Sequence, residues 1–219
     1  MQNQNVVRLA SREQSILKLD TVLYIISAGD ANGRGLGLSE LGEKQAERLG
    51  NHIRDLGLRF DLVICPNDPV TAQTASKVLA HHGKSSWPQF SGCEFISPRN
   101  EATTRALRDL VELAKANRSI HLVPKGRPAT LYSLCNYQLR NTQDSFLEGF
   151  RDEIRKDARA LSGIREASRI ALFSREVVGN IAAEALFPKH RAEIENIELY
   201  PCSVIRLSAI SCQQFPLLY

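Results

Sequence analysis

Apolar positions along this chain keep two rhythms, one of strands and one of helices. "TVLYIIS" (21–27) is apolar and β-branched on both alternations, the pattern of a parallel strand covered on both faces. In "SELGEKQAERLGNHIRDLG", Leu41, Gln45, Leu49, Ile53 and Leu56 recur at helical spacing, with Ser39 as N-cap and Gly57 as stop. "FDLVICP" (60–66) predicts a second buried strand. "DPVTAQTASKVLAHHG" predicts a helix opened by an Asp N-cap, with proline at its first position, and closed by Gly83. The βαβα rhythm calls for a parallel, layered α/β sheet.

Further on, "GCEFISP" (92–98) predicts a third strand and "EATTRALRDLVELAKA" a helix. From Ile120 to Ser145 proline, glycine and mixed polar residues read as a loop or lid with a short helical turn. "FLEGFRDEIRKDARAL" places Phe146, Phe150, Ile154, Ala158 and Leu161 on one face of an amphipathic helix. That stripe is expected to pack over or beside a pocket at the strand ends; left exposed, it would be a subunit interface, and a homo-oligomer is compatible with it. "RIALFS" (169–174) returns as a strand, "EVVGNIAAEALF" as a helix, and "ENIELY" with "CSVIRLSAI" as closing strands. The expected architecture is a three-layer α/β/α sandwich with a mostly parallel sheet, a single domain over 1–219 with an insertion or lid at about 118–167.

Composition narrows the functional classes. The 219 residues, 43% hydrophobic and 24% charged, suit one soluble globular domain with an elaboration. The 28 basic residues are scattered among 24 acidic ones for a net charge of +4, without the basic stripe that tracks a nucleic-acid backbone, so nucleic acid is not an expected partner. Anionic small molecules stay open. Cys65, Cys93, Cys135, Cys202 and Cys212 are odd in number and far apart, with no CxxC and no histidine pair at metal-ligand spacing; this reads as a reduced, cytoplasmic chain with no metal and no cofactor. The N-terminal stretch lacks the apolar core of a signal peptide, and runs such as "VLYII" are too short to span a bilayer, so no membrane role is expected.

Five segments in order, "LYIISAGDA", "LSELGEKQAERL", "DLVICP…AQTASKVLA", "RIALFSREVVGNIAAEAL" and "LYPCSVIRLSA", resemble the histidine phosphatase (phosphoglycerate mutase-like) superfamily. "SAGDA" and "FSREVVGNIAAEAL" are most similar to its short phosphohistidine phosphatase branch. The resemblance covers about two thirds of the chain and leaves 118–167 without a counterpart in that branch. It implies a first strand ending in Arg-His-Gly, whose histidine takes the phosphoryl group, a second arginine before Gln-Thr-Ala, and a second histidine after the fourth strand's serine. Ser27, Ala28 and Gly29 occupy the first of these places. In "CPNDPVTAQTA" one extra residue puts the arginine slot at Pro69 or Val70, and Arg175 follows Ser174 where the second histidine belongs.

All the core pocket residues that the resemblance implies are therefore substituted. Phosphoryl transfer through a phosphohistidine needs an in-line imidazole nitrogen and cations on the non-bridging oxygens, and Ala28 offers a methyl group. Gly29 still suits a tight strand-to-loop turn. Asp30 caps or solvates that turn; Glu94, near where the superfamily places its proton donor, reads more simply as a solvated strand-edge residue. Arg175, beside the N-terminus of the next helix, could hold a phosphate or carboxylate; its blander reading is an ion pair with Glu176, Asp30 or Glu94. Ser27, Gly29, Arg34, Ser174 and Arg175 form the candidate ligand set, with Lys125 and Arg127 as further surface cations. Cys65 ends the second strand and would be a nucleophile if cations stabilised its thiolate, although a buried strand-end cysteine is usually inert. Three functions follow: a non-catalytic binding or regulatory module for a phosphorylated or anionic small molecule or protein, an enzyme of altered chemistry using Cys65 or Ser27, and a structural subunit with a plugged cleft.

Overall fold

In the computed structural model, which describes residues 21–33, 35–66, 68–80, 89–93, 101–117, 130–135, 146–162 and 169–215, six strands form a single sheet in the order β3-β2-β4-β1-β5-β6. The strands are β1 (Val22–Ser27), β2 (Leu62–Pro66), β3 (Gln89–Cys93), β4 (Arg169–Ser174), β5 (Val204–Leu207) and β6 (Cys212–Phe215). The first four in spatial order run parallel, β5 is antiparallel to β1, and β6 is antiparallel to β5. Parallel strands buried on both faces explain why β1 and β4 read as continuous apolar runs.

Helices α1 (Glu40–Asp55) and α2 (Pro69–Leu79) cover one face. Tyr24, Ile26, Val63, Ala171 and Phe173 meet Ala46, Ile53, Val70 and Val78 in that core. The opposite face carries α3 (Glu101–Asn117), α4 (131–135), α5 (Phe146–Ser162), α6 (Glu176–Leu186) and α7 (Arg191–Glu195). There Ile25, Ile64 and Leu172 pack with Leu107, Tyr132, Phe150, Ile154 and Ile181. Phe150 and Ile154 thus lie in the helical layer beside α6, while Phe146, Ala158 and Leu161 as side chains, and segments 118–129 and 136–145, lie outside the described residues.

Local chemistry accounts for the helix ends. Ser39 Oγ accepts from the Gly42 amide at 3.0 Å, and Gly57 takes a left-handed φ of 60° past the end of α1. Asp68 accepts from the Thr71 amide at 2.9 Å with Pro69 in the first turn of α2. The helix ends at Leu79; the stop expected at Gly83 lies outside the described residues.

Three strand assignments need correction. The third strand begins at Gln89, earlier than the 92–98 expected, because its ladder to β2 pairs Val63 with Gln89 and Ile64 with Phe90; it is described to Cys93, and 94–98 lie outside the described residues. "ENIELY" is not a strand: the chain leaves α7 there, and the Asn180 amide donates to the carbonyls of Ile194 and Ile197, at 3.5 and 3.2 Å, in place of a ladder. Beyond β5 the chain turns back through Ser208–Ser211 into β6, an edge strand whose glutamines are exposed and so gave no apolar signal. Among the described residues no helix is long and apolar enough to cross a membrane, and no group of three or more His, Cys, Asp or Glu is placed to hold a metal.

Candidate functional site

The C-terminal ends of β1, β2 and β4 meet at one edge of the sheet. Ser27 stands in register with Ser174, and the Ala28 amide donates to the Ser174 carbonyl at 2.8 Å. On the other flank the Ser27 amide donates to the Ser203 carbonyl at 2.9 Å and the Cys202 amide to the Ala28 carbonyl at 3.2 Å. The turn after β1 is therefore clamped between β4 and the approach to β5.

The turn is also pinned from the helical side. The Gly29 amide donates to Thr74 Oγ1 at 3.0 Å, and that hydroxyl donates to the Val70 carbonyl at 2.7 Å. A Cβ on Gly29 would stand 2.9 Å from the Gly42 carbonyl and from Leu38, so only glycine fits. Asp30 accepts from Ser39 Oγ at 2.7 Å while its own amide donates to Gln45 at 3.0 Å; it braces the start of α1. Ala28 and Val70 are buried in one apolar cluster with Leu38 and Cys202. The places at which the resemblance implies a nucleophile and a clamping arginine are packed core.

Ser27 of β1, Ser174 of β4 and Ser203, just before β5, form a row, each fully buried and each hydroxyl without a hydrogen-bond partner among the described residues. Ser174 faces α6, where Gly179 packs so closely that a Cβ on it would be 2.5 Å from Ser174 Oγ. Among the described residues no base hydrogen-bonds the Ser27 hydroxyl.

Arg175 is where charge enters. Its Nε donates to Asp68 Oδ2 at 3.0 Å and its Nη2 to Asp68 Oδ1 at 2.7 Å, a two-pronged fork between the N-caps of α6 and α2. The partner is Asp68, and neither Glu176 nor Asp30, which the sequence also offered, makes this pair. Asp68 was legible as a helix cap, but its ion pair depends on β2 and β4 lying side by side. Arg34, Glu94, Lys125 and Arg127 lie outside the described residues.

Burial opposes the charge on Asp68, but the Arg175 fork and the Thr71 bonds outweigh it and hold the carboxyl below the usual aspartate range. A carboxyl depressed by folding contributes stability above its ordinary value and loses it as pH falls through the folded value. Between about pH 7 and about pH 3, thermal unfolding should show a larger loss for wild type than for Asp68→Asn, which keeps a helix cap but does not titrate. Equal losses would assign the acid sensitivity to other carboxylates.

Cys65 is half-buried, and burial, reinforced by the negative charge of Asp68, pushes its thiol up to about 11. The charge that acts on it is an acid rather than the cations a reactive thiolate needs, and the thiol stays protonated at neutral pH.

Neither the protein-family models nor the curated proteins give a match. Solved structures do. The chain is similar to the phosphoglycerate mutase of Bacillus anthracis, at 14% identity over 89% of this chain and 91% of that one, with a TM-score of 0.54. It is similar to an Escherichia coli protein described as an alpha-ribazole-5'-P phosphatase, at 18% identity over 90% and 95%, with a TM-score of 0.53. It is also similar to a protein of Agrobacterium tumefaciens described as the phosphohistidine phosphatase SixA, at 13% identity over 91% and 99%, with a TM-score of 0.50. The three likenesses are of nearly equal quality and single out no branch. At these identities they establish a shared fold.

Proposed function

We propose that this chain, which has the fold of the histidine phosphatase superfamily, is non-catalytic and works by binding: its phosphoryl-transfer cleft has become a regulatory module for a phosphorylated or otherwise anionic ligand. Arg175 is the recognition group, and Asp68 is the internal carboxylate that the ligand displaces. The Arg175–Asp68 fork carries this reading. A guanidinium already presented in two-pronged geometry to one carboxylate is arranged for another planar or tetrahedral anion. Arg175 is itself the N-cap residue of α6, whose first-turn amides no side chain caps. Ala28 and Val70 in the core leave nothing to attack phosphorus there. A cytoplasmic location goes with this reading, because Cys65, Cys135, Cys202 and Cys212 are free thiols.

Turnover and binding test it together. Wild type and Ala28→His are expected to release no p-nitrophenol from p-nitrophenyl phosphate and to leave a phosphohistidine peptide intact, since residues that act as a unit are restored poorly one at a time. Robust wild-type turnover lost in Cys65→Ala or Ser27→Ala would replace this reading with an enzyme of altered chemistry. In thermal-shift titrations with inorganic phosphate, Asp68→Asn should respond at concentrations about tenfold below those wild type needs, because the competing carboxylate is gone. Silence from both proteins would leave a structural subunit with a plugged cleft.

A further inference from the structure

Next to Arg175 stands a carboxyl that the fork does not use. Glu176 is the first residue of α6 and is half-buried in a hollow that it shares with Glu198 and Leu131. Glu198 comes to that hollow from the chain beyond α7 and accepts from the Leu131 amide at 3.0 Å, so its carboxylate is fixed at the start of α4. From α3, Glu112 and Lys115 act on Glu176 as well, and are paired with each other at 3.3 Å. Cys135 of α4 feels both Glu176 and Glu198, but burial pushes its thiol up to about 12 and keeps it neutral. Arg151 of α5 and Arg191 of α7 meet Glu184, about two turns further along α6.

Among the described residues, then, the carboxyls of Glu176, Glu198 and Glu112 are offset by Lys115 and by Arg175 itself. Burial raises the Glu176 carboxyl above the ordinary glutamate value; Lys115 opposes this, Glu198 reinforces it, Arg175 opposes it and Glu112 adds to it. Asp68, the partner of Arg175, is shifted the opposite way. The two carboxyls that act on this guanidinium therefore titrate apart, Glu176 first as pH falls.

We infer that anion binding at Arg175 is coupled to protonation of Glu176: a tetrahedral dianion takes the place of Asp68 on the guanidinium, and Glu176 takes up one proton from solvent as it arrives. The inference rests on Arg175 being the recognition group of the cleft. Its reason is electrostatic, because the dianion adds negative charge beside a carboxylate already half-removed from water and crowded by Glu198 and Glu112. A proton on Glu176 relieves that repulsion. By linkage, proton and anion strengthen each other's binding by the same factor, so the site holds anions more tightly as pH falls while Asp68 is still charged.

Sulfate is the probe, since unlike phosphate it does not titrate near neutral pH. Calorimetric titration of the full chain with sodium sulfate, in two buffers of different ionisation enthalpy, reads affinity and proton uptake together. Wild type should bind about tenfold more tightly at about pH 5.5 than at about pH 7.5, with net uptake of protons. Glu176→Gln should bind at both pH values about as tightly as wild type does at the lower one, without that uptake. Lys115→Met, at an exposed position of α3 that leaves the buried carboxyl in place, should move the wild-type pH profile upward. Sulfate binding with the same pH dependence and uptake in wild type and Glu176→Gln, or an unmoved profile in Lys115→Met, overturns the coupling and leaves Arg175 an anion site. No sulfate binding in wild type, Glu176→Gln or Asp68→Asn overturns the reading of Arg175 itself, and the coupling with it.

Discussion

Glu184→Ala should destabilise the fold by about 3 kcal/mol, lowering the unfolding midpoint by roughly 6–12 °C for a chain of this size. Glu184 of α6 is buried and holds three groups at once. The Tyr132 hydroxyl of α4 donates to Oε2, Arg151 of α5 approaches the same oxygen at 3.3 Å, and Arg191 of α7 lies 3.4 Å from Oε1. Truncating it takes one buried counter-charge from the Arg151 guanidinium, 8% exposed, and the acceptor from the tyrosine hydroxyl. Burial and the neighbouring carboxylate both drive the Tyr132 hydroxyl pKa up, which favours the phenol as donor in this network. Thermal unfolding of the single variant should be compared with Tyr132→Phe/Arg151→Met/Glu184→Met. The triple variant replaces the network with apolar groups and should recover more than half of the loss. A single variant as stable as wild type would show that the ions add nothing to the joining of α4, α5 and α7 to α6.

The second large effect is at Gly42. A Cβ there would sit 2.1 Å from the Asp30 carbonyl, backbone against backbone, so Gly42→Ala must move the first turn of α1 off the β1 turn. With it go the Ser39 amide bond to the Asp30 carbonyl at 2.9 Å and the Ser39 hydroxyl bond to the Asp30 carboxylate. We expect a loss of about 3 kcal/mol, far beyond the roughly 1 kcal/mol that alanine gains over glycine in a helix. Gly149→Ala in α5 is the control: nothing lies within 4 Å of its Cβ position, so the same change should stabilise by about 0.5–1 kcal/mol. Urea denaturation of both variants separates the two cases, and a neutral Gly42→Ala would mean that α1 slides freely on the turn.

What could be read from the chain was what neighbouring residues decide. Ser39 and Asp68 announced their helices because a cap bonds within three residues, and β1 and β4 announced themselves because both their faces are apolar. The substitutions at Ala28 and Arg175 were legible by position alone. What they do in the fold was not: Arg175 finds its carboxylate 107 residues away, across strands that are not consecutive. The stretch holding α4 read as a loop or lid with a short helical turn; the burial of that turn was not legible because it depends on Glu184 and α5, which follow it in the chain. β6 was missed since an edge strand with exposed glutamines lacks the apolar alternation that marks a half-buried one. Tyr24 meets Phe60 and Phe215, three aromatics on separate segments that no local pattern connects.

The strand order also imposes a timetable. β1 and β2 lie near the start of the chain but never touch; β4 separates them, hydrogen-bonded to both. Between Pro66 and Arg169 about a hundred residues must be synthesised, which at about 5–20 residues per second leaves both strands waiting on the order of ten seconds for their shared partner. During that interval α1 and α2 can form, but the edges of β1 and β2 that β4 will occupy stay open. They are apolar on both faces and apt to pair with the wrong strand. Folding of this sheet on the ribosome is therefore gated by the arrival of Arg169–Ser174, and nascent chains stalled just before that point are the form most in need of a chaperone.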